Sequence, residues 1–268
     1  MDVTAADPGL FGPGSRTWAV HGHPLAWVGG LRALYLQALH PEALRGVFTA
    51  SDYRDDPWGR LMRTAQFVGT TSFGSTAAAR AAGERVRAVH ARLGVDDPHL
   101  LRWVHCCEVT SFLDVHRRSG GRIEKGAADE YLAEQARNAW LVGLDPEGVP
   151  ADMAAMDQYF QLMRPELAAG REARAVARFL LMPPMPNRVR LLTPALPAWV
   201  TISAIAFDAL PGWARRIYGL PLPPGSDLAV SLTLRGLRFA VDRLPRDMRE
   251  GPQLRAARER LGAGPFIQ

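Results

Sequence analysis

Apolar residues recur along this chain at three- and four-residue spacing, and strand-like alternation is almost absent. Leu31, Leu34, Tyr35 and Ala38 share one helical face, in a segment that Pro41 ends at His40 by disfavouring helical geometry in the residue before it. Asp56 and Pro57 read as an N-cap and a first-turn proline, and Leu61, Ala65 and Val68 continue that helix's stripe. A helix is predicted over 76–93, with Ala79, Ala82, Val86, Val89 and Leu93 on its core face and Gly94 as its stop. Asp97-Pro98 opens the next, which runs to Gly120. Further helices are expected near 126–142, 151–169, 195–210 and 227–243, followed by a short charged tail helix. The PPMPN run at 183–187 reads as a bend inside one domain. The pattern predicts a single compact all-α domain of roughly eight to ten helices over 29–268. Before it, residues 1–28 read as an irregular Gly- and Pro-rich arm, in which His21 and His23 are expected to be exposed.

Composition narrows the function classes. The net charge is +5, but the arginines are scattered and form no run of five or more, so nucleic-acid binding is not expected. Lys125 is the only lysine among 32 basic residues, a skew that says little about partners. Cys106 and Cys107 are adjacent, which suits neither a disulfide nor a zinc site; reduced packing residues in a cytoplasmic protein are the expectation. The start of the chain lacks a basic head followed by an apolar run, so no secretory signal is expected. The most apolar stretch, 196–210, is shorter than the ~20 residues of a membrane span.

Several polar side chains fall on apolar faces. His90, in RVRAVHARL, is either a satisfied core histidine or a metal ligand. His105 and Glu108 lie at i and i+3 among Leu101 and Phe112, where a functional pair and an ordinary buried pair that stitches helices together are equally open. Arg60, Arg63 and Thr64 of RLMRT share one surface, which is either a solvated helix face or an anion-binding one. His40, in LQALHPEAL, reads equally well as part of a functional motif or as a structural cap at a helix end, and His99 and His116 read as solvent-facing. The chain has no Glu-x-x-His or His-Glu-x-x-His for di-iron or zinc, no nucleophile elbow, and no dinucleotide fingerprint.

Taken together, the Leu36–Phe67 stretch (LQALHPEALRGVFTASDYRDDPWGRLMRTAQF), RVRAVHARL and LLRWVHCCEV resemble the mpaB-type oxygenase family, which includes the rubber oxygenase (latex-clearing protein) catalytic domain. The resemblance covers the first two thirds of the chain well and the Pro-rich remainder loosely. It implies an all-helical oxygenase or oxidase that binds haem b and acts on an apolar small molecule. A dehydrogenating haem oxidase of a natural-product pathway is a second enzyme reading. A non-catalytic haem- or lipid-binding protein of the same fold is the alternative from another class. By the same resemblance His90 corresponds to the proximal iron ligand and Arg60 and Thr64 to cofactor-binding residues; His105, if its pair with Glu108 is functional, is expected on the distal side or hydrogen-bonded to the cofactor. RLMRT departs from the family's Arg-x-x-Lys-Thr at Arg63. Lysine there can reach iron, whereas a guanidinium with a pKa above ~12 has no lone pair to give, so the resemblance implies an open distal site with Arg63 beside it. The family's upstream glutamate base has no assured counterpart, and Glu42 is not given that role. Oligomeric state stays open.

Overall fold

Proline, glycine and capping side chains divide the chain into fifteen α-helical segments among the described residues, with no strand. They are α1 (Arg16–His21), α2 (Ala26–Gln37), α3 (Pro41–Ala50), α4 (Pro57–Phe73), α5 (Thr76–Leu93), α6 (Pro98–Arg118), α7 (Ala127–Leu141) and α8 (Met153–Met163). After these come α9 (Arg171–Leu181), α10 (Asn187–Leu192), α11 (Ala195–Asp208), α12 (Gly212–Tyr218), α13 (Ser226–Val241), α14 (Arg246–Arg249) and α15 (Pro252–Leu261). The structure is a computed structural model that describes residues 6–50, 56–122, 124 and 126–262. Lys125, the 51–55 part of the motif-bearing stretch and the last six residues lie outside it. The all-α single domain is as expected, but the segments outnumber the predicted eight to ten. The surplus consists of short pieces, α1, α10, α12 and α14, each bounded by Pro or Gly. Pro41 opens α3, and the preceding helix already ends at Gln37.

The centre of the molecule is α2 packed along α6. From α2 come Val28, Leu31, Tyr35 and Leu36, and from α6 come Trp103, Cys106, Cys107, Val109, Phe112, Leu113 and Val115, all buried. The helices approach so closely that a Cβ on Gly29 would lie 2.8 Å from Phe112 Cδ1 and 3.1 Å from its Cα; only glycine fits that crossing. Both cysteines are free and buried. Arg32, also buried, donates to Ala209 O at 3.0 Å and to Ser111 Oγ at 2.7 Å, tying the end of α11 to the pair. On the other side of α2, Tyr35 and Ser203 share a hydrogen bond of 2.8 Å, and Ser203 Oγ donates to Leu180 O.

The N-terminal arm is not an exposed irregular segment. Its 3.6-residue pattern is too short to register in the sequence, yet Ser15 caps α1, Trp18 packs edge-on against Phe73 at 5.4 Å, and Trp18 Nε1 donates to Phe11 O. With Leu254 and Ala257 of α15 these residues form a second core cluster. His21 and His23 are buried as a result, and so is His116, contrary to expectation. No single described helix is long and apolar enough to cross a membrane. Only α11 and α12 qualify by composition, as a pair bent by 111°.

Candidate functional site

The α4–α5 hairpin carries the first group of candidate residues. Asp56 caps α4 by accepting from Gly59 N at 2.9 Å, and Ser75 caps α5 by accepting from Ala78 N at 3.2 Å. The turn at Gly74–Ser75 folds the helices back on each other, so Arg60 and His90, at similar distances from it, come near enough for the guanidinium to act on the imidazole. Burial holds the His90 imidazole below its usual range; the Asp96 carboxylate opposes this and the Arg60 guanidinium adds to it. Its Nδ1 is buried and makes no hydrogen bond.

The apolar stripe beside His90 is only half covered. Ala79, Ala82 and Gly83 are buried, because a Gly83 Cβ would lie 2.8 Å from Leu141 O and the glycine lets α5 sit directly on the end of α7. Arg87 Nη1 donates to Leu141 O at 2.8 Å and closes that contact. Beyond it α5 runs past its support: Val86 is half-buried, and Val89 and Leu93 are 39% and 36% exposed. The expected core face therefore holds for the first half of α5 and fails for the second. His90 sits in the uncovered half, so it is neither a solvated histidine nor a satisfied core one. Arg63 is exposed and pairs with Asp56 at 3.1 Å, and Thr64 Oγ1 donates to Arg60 O. Both lie on the hairpin, but in this arrangement they are committed to α4 itself.

A second group lines the buried side of α6. Burial pushes the His105 imidazole down to about 4 and the Glu108 carboxyl up to about 7. Glu108 retains some solvent-accessible surface, yet burial is the only influence on its carboxyl, with no hydrogen bond or charge to offset it. On α7, Tyr131 is raised well above the phenol range by burial and by the negative charges of Glu108 and Glu134. Its hydroxyl is 2.8 Å from His21 Nε2, and His21 Nδ1 is 2.7 Å from Ser72 Oγ. Burial pushes His21 down to about 3. His21, Ser72 and Tyr131 thus link three helices, α1, α4 and α7, through uncharged side chains. His21 has both nitrogens engaged, so it is not a free ligand.

Glu108 yields a direct prediction. A carboxyl raised in the folded state binds a proton there that the unfolded chain has already lost between about 4.5 and 7, so the residue lowers stability as pH rises through that window. Glu108→Gln should raise the melting temperature at pH 8 relative to the parent, with the gain vanishing at pH 4. An equal effect at both pH values would show that Glu108 is not buried in this way.

His90 and Arg60 are therefore brought together, whereas His105 is placed on a separate helix that packs mainly against α2 and also against α7, α13, α1 and α3. His40 is buried, and its Nδ1 accepts from Ala43 N at 3.4 Å, a long contact at the start of α3. Tyr131 and Ser72 were not legible as partners of His21, because no sequence spacing connects three helices. Residues 18–243 match the family described as "ER-bound oxygenase mpaB/B'/Rubber oxygenase, catalytic domain". No curated protein and no solved structure matches the chain.

Proposed function

The chain belongs to the mpaB and rubber oxygenase catalytic-domain family, and on that premise we propose that it is a haem b oxidoreductase, an oxygenase or oxidase, acting on an apolar small molecule. The observation that carries this reading is the partly covered second half of α5. There a neutral imidazole, with one buried nitrogen lacking a hydrogen bond, stands beside a guanidinium and among apolar side chains left open to solvent. A flat apolar macrocycle with carboxylate substituents complements such a face.

In this reading His90 would hold the haem iron through an imidazole nitrogen. Burial favours the neutral form that a ligand must have. Arg60 offers planar donors to a propionate, and Thr64, one turn on, borders the same surface. Arg63 cannot ligate iron, since its guanidinium keeps its proton, and here it steadies the start of α4 through Asp56. His105, buried and uncharged, is a second imidazole donor on another helix. Haem supplies the one-electron and O₂ chemistry, which the protein tunes and shields.

The deciding experiment is the absorption spectrum of protein purified from haem-supplied cells, with a pyridine assay for haem type. A colourless protein that cannot be reconstituted defeats the proposal and leaves an apolar face suited to a lipid. Arg60→Ala is expected to weaken haem retention or shift the Soret band. An intact spectrum and affinity, with only thermal stability changed, would assign Arg60 to the hairpin's own packing.

A further inference from the structure

His40, His99 and Glu166 come from three separate stretches of chain and meet at one point. His40 lies in the turn between α2 and α3, His99 in the first turn of α6, and Glu166 at the end of the 3-10 turn after α8. Glu166 Oε2 is 2.8 Å from His99 Nε2 and 3.4 Å from His40 Nε2. One donor atom of each residue lies within 4.8 Å of the other two. The imidazole rings are 5.7 Å apart with their planes at 70°, so they do not stack.

His40 is the fixed member. Its side chain is 3% exposed, and its ring lies 6.0 Å from that of Trp103. Its Nε2 is buried and faces the Glu166 carboxylate at 3.4 Å without meeting hydrogen-bond geometry, a contact that still helps to lower the carboxyl. A wholly unpartnered buried polar atom costs about 1–3 kcal/mol, and this long contact recovers only part of that, so a better-placed partner at this point is stabilising. His99 and Glu166 are the adjustable members, with side chains 43% and 46% exposed.

We infer that His40 Nε2, His99 Nε2 and a Glu166 carboxylate oxygen bind a single divalent transition metal of the Zn²⁺ type, with solvent completing its coordination. Two imidazoles and one carboxylate are a donor set for such ions and not for Ca²⁺ or Mg²⁺, which take oxygen. Bonds of about 2.0–2.1 Å at tetrahedral angles put neighbouring donors ~3.3 Å apart. The His40–Glu166 separation already has nearly that value. The His99–Glu166 pair must open by about half an ångström, which two part-exposed side chains accommodate. Ligation through Nε2 places the His40 proton on Nδ1 and gives up the 3.4 Å contact from Ala43 N, a bond long enough to be a small loss. The ion would join the starts of α3 and α6 to the segment after α8, next to the bond from Ala168 N to Leu39 O. None of these residues belongs to the His90 face, so the site stands independently of haem.

Calorimetric titration of the purified protein with Zn²⁺, with zinc content read by mass spectrometry after dialysis, tests this without interference from haem iron. A single Zn²⁺ per chain and a melting temperature raised by the ion are the expected results. His99→Ala and Glu166→Gln alter part-exposed side chains, and circular dichroism checks that the fold is kept. Each should weaken Zn²⁺ binding by more than the roughly tenfold that even an outer-shell partner of a metal site contributes. Absence of binding by the parent protein, or unchanged affinity in either variant, overturns the site and leaves only a His–Glu–His polar contact.

Discussion

His90→Ala protein is expected to leave haem-supplied cells without stoichiometric haem while keeping close to the thermal stability of the haem-free parent. The two outcomes separate because of where the side chain sits. Its ring is only half-buried, and its buried Nδ1 makes no hydrogen bond, so the fold loses little when it goes. Under the proposed function, by contrast, iron loses its strong donor on that face. His105→Ala is expected to keep the haem and to change its ligand binding. A His105→Ala protein that is colourless, beside a His90→Ala protein that retains the Soret band, would reverse the assignment of the axial ligand.

Trp103→Ala should destabilise the fold by about 3–5 kcal/mol in chemical denaturation. Trp103 is fully buried where α6 meets the end of α2, edge-on to Phe160 at 5.8 Å. Its Nε1 donates to Gln37 O at 3.1 Å, while Gln37 Nε2 donates back to Val104 O at 3.2 Å. Truncation therefore opens a cavity and also removes half of a reciprocal bracket between the two central helices. A loss below ~1 kcal/mol would mean that the surroundings collapse into the gap, which the dense α2–α6 contact argues against.

The long helices were legible because their caps and periodicity agree. Asp56, Ser75 and Asp97 accept backbone hydrogen bonds at helix starts, and Gly94 ends α5 in the left-handed conformation. Helix existence was readable, but the depth of each face was not. Periodicity marked Val89 and Leu93 as core, and it does not encode that α5 outruns the helices beneath it. The N-terminal histidines were misjudged for a related reason: what buries His21 and His23 is a contact with helices distant in sequence, such as Tyr131 on α7 and Asp242 after α13. In the candidate site, the nearness of Arg60 to His90 follows from the hairpin turn, whereas the sequence marked the two residues separately. Glu166 had no such signal, since its partners precede it by whole helices.

The tight crossing at Gly29 and Phe112 also bears on how the chain can vary. It pins together two points far apart in sequence, so everything between α2 and α6, including the hairpin with Arg60 and His90, is one closed loop. The entropy of closing a loop grows only with the logarithm of its length, by ~0.6 kcal/mol for each doubling. Inserting or deleting residues in the connections of that loop therefore changes the reach and depth of the His90 face while leaving the pinned pair intact. The crossing is the anchor against which that face can be reshaped.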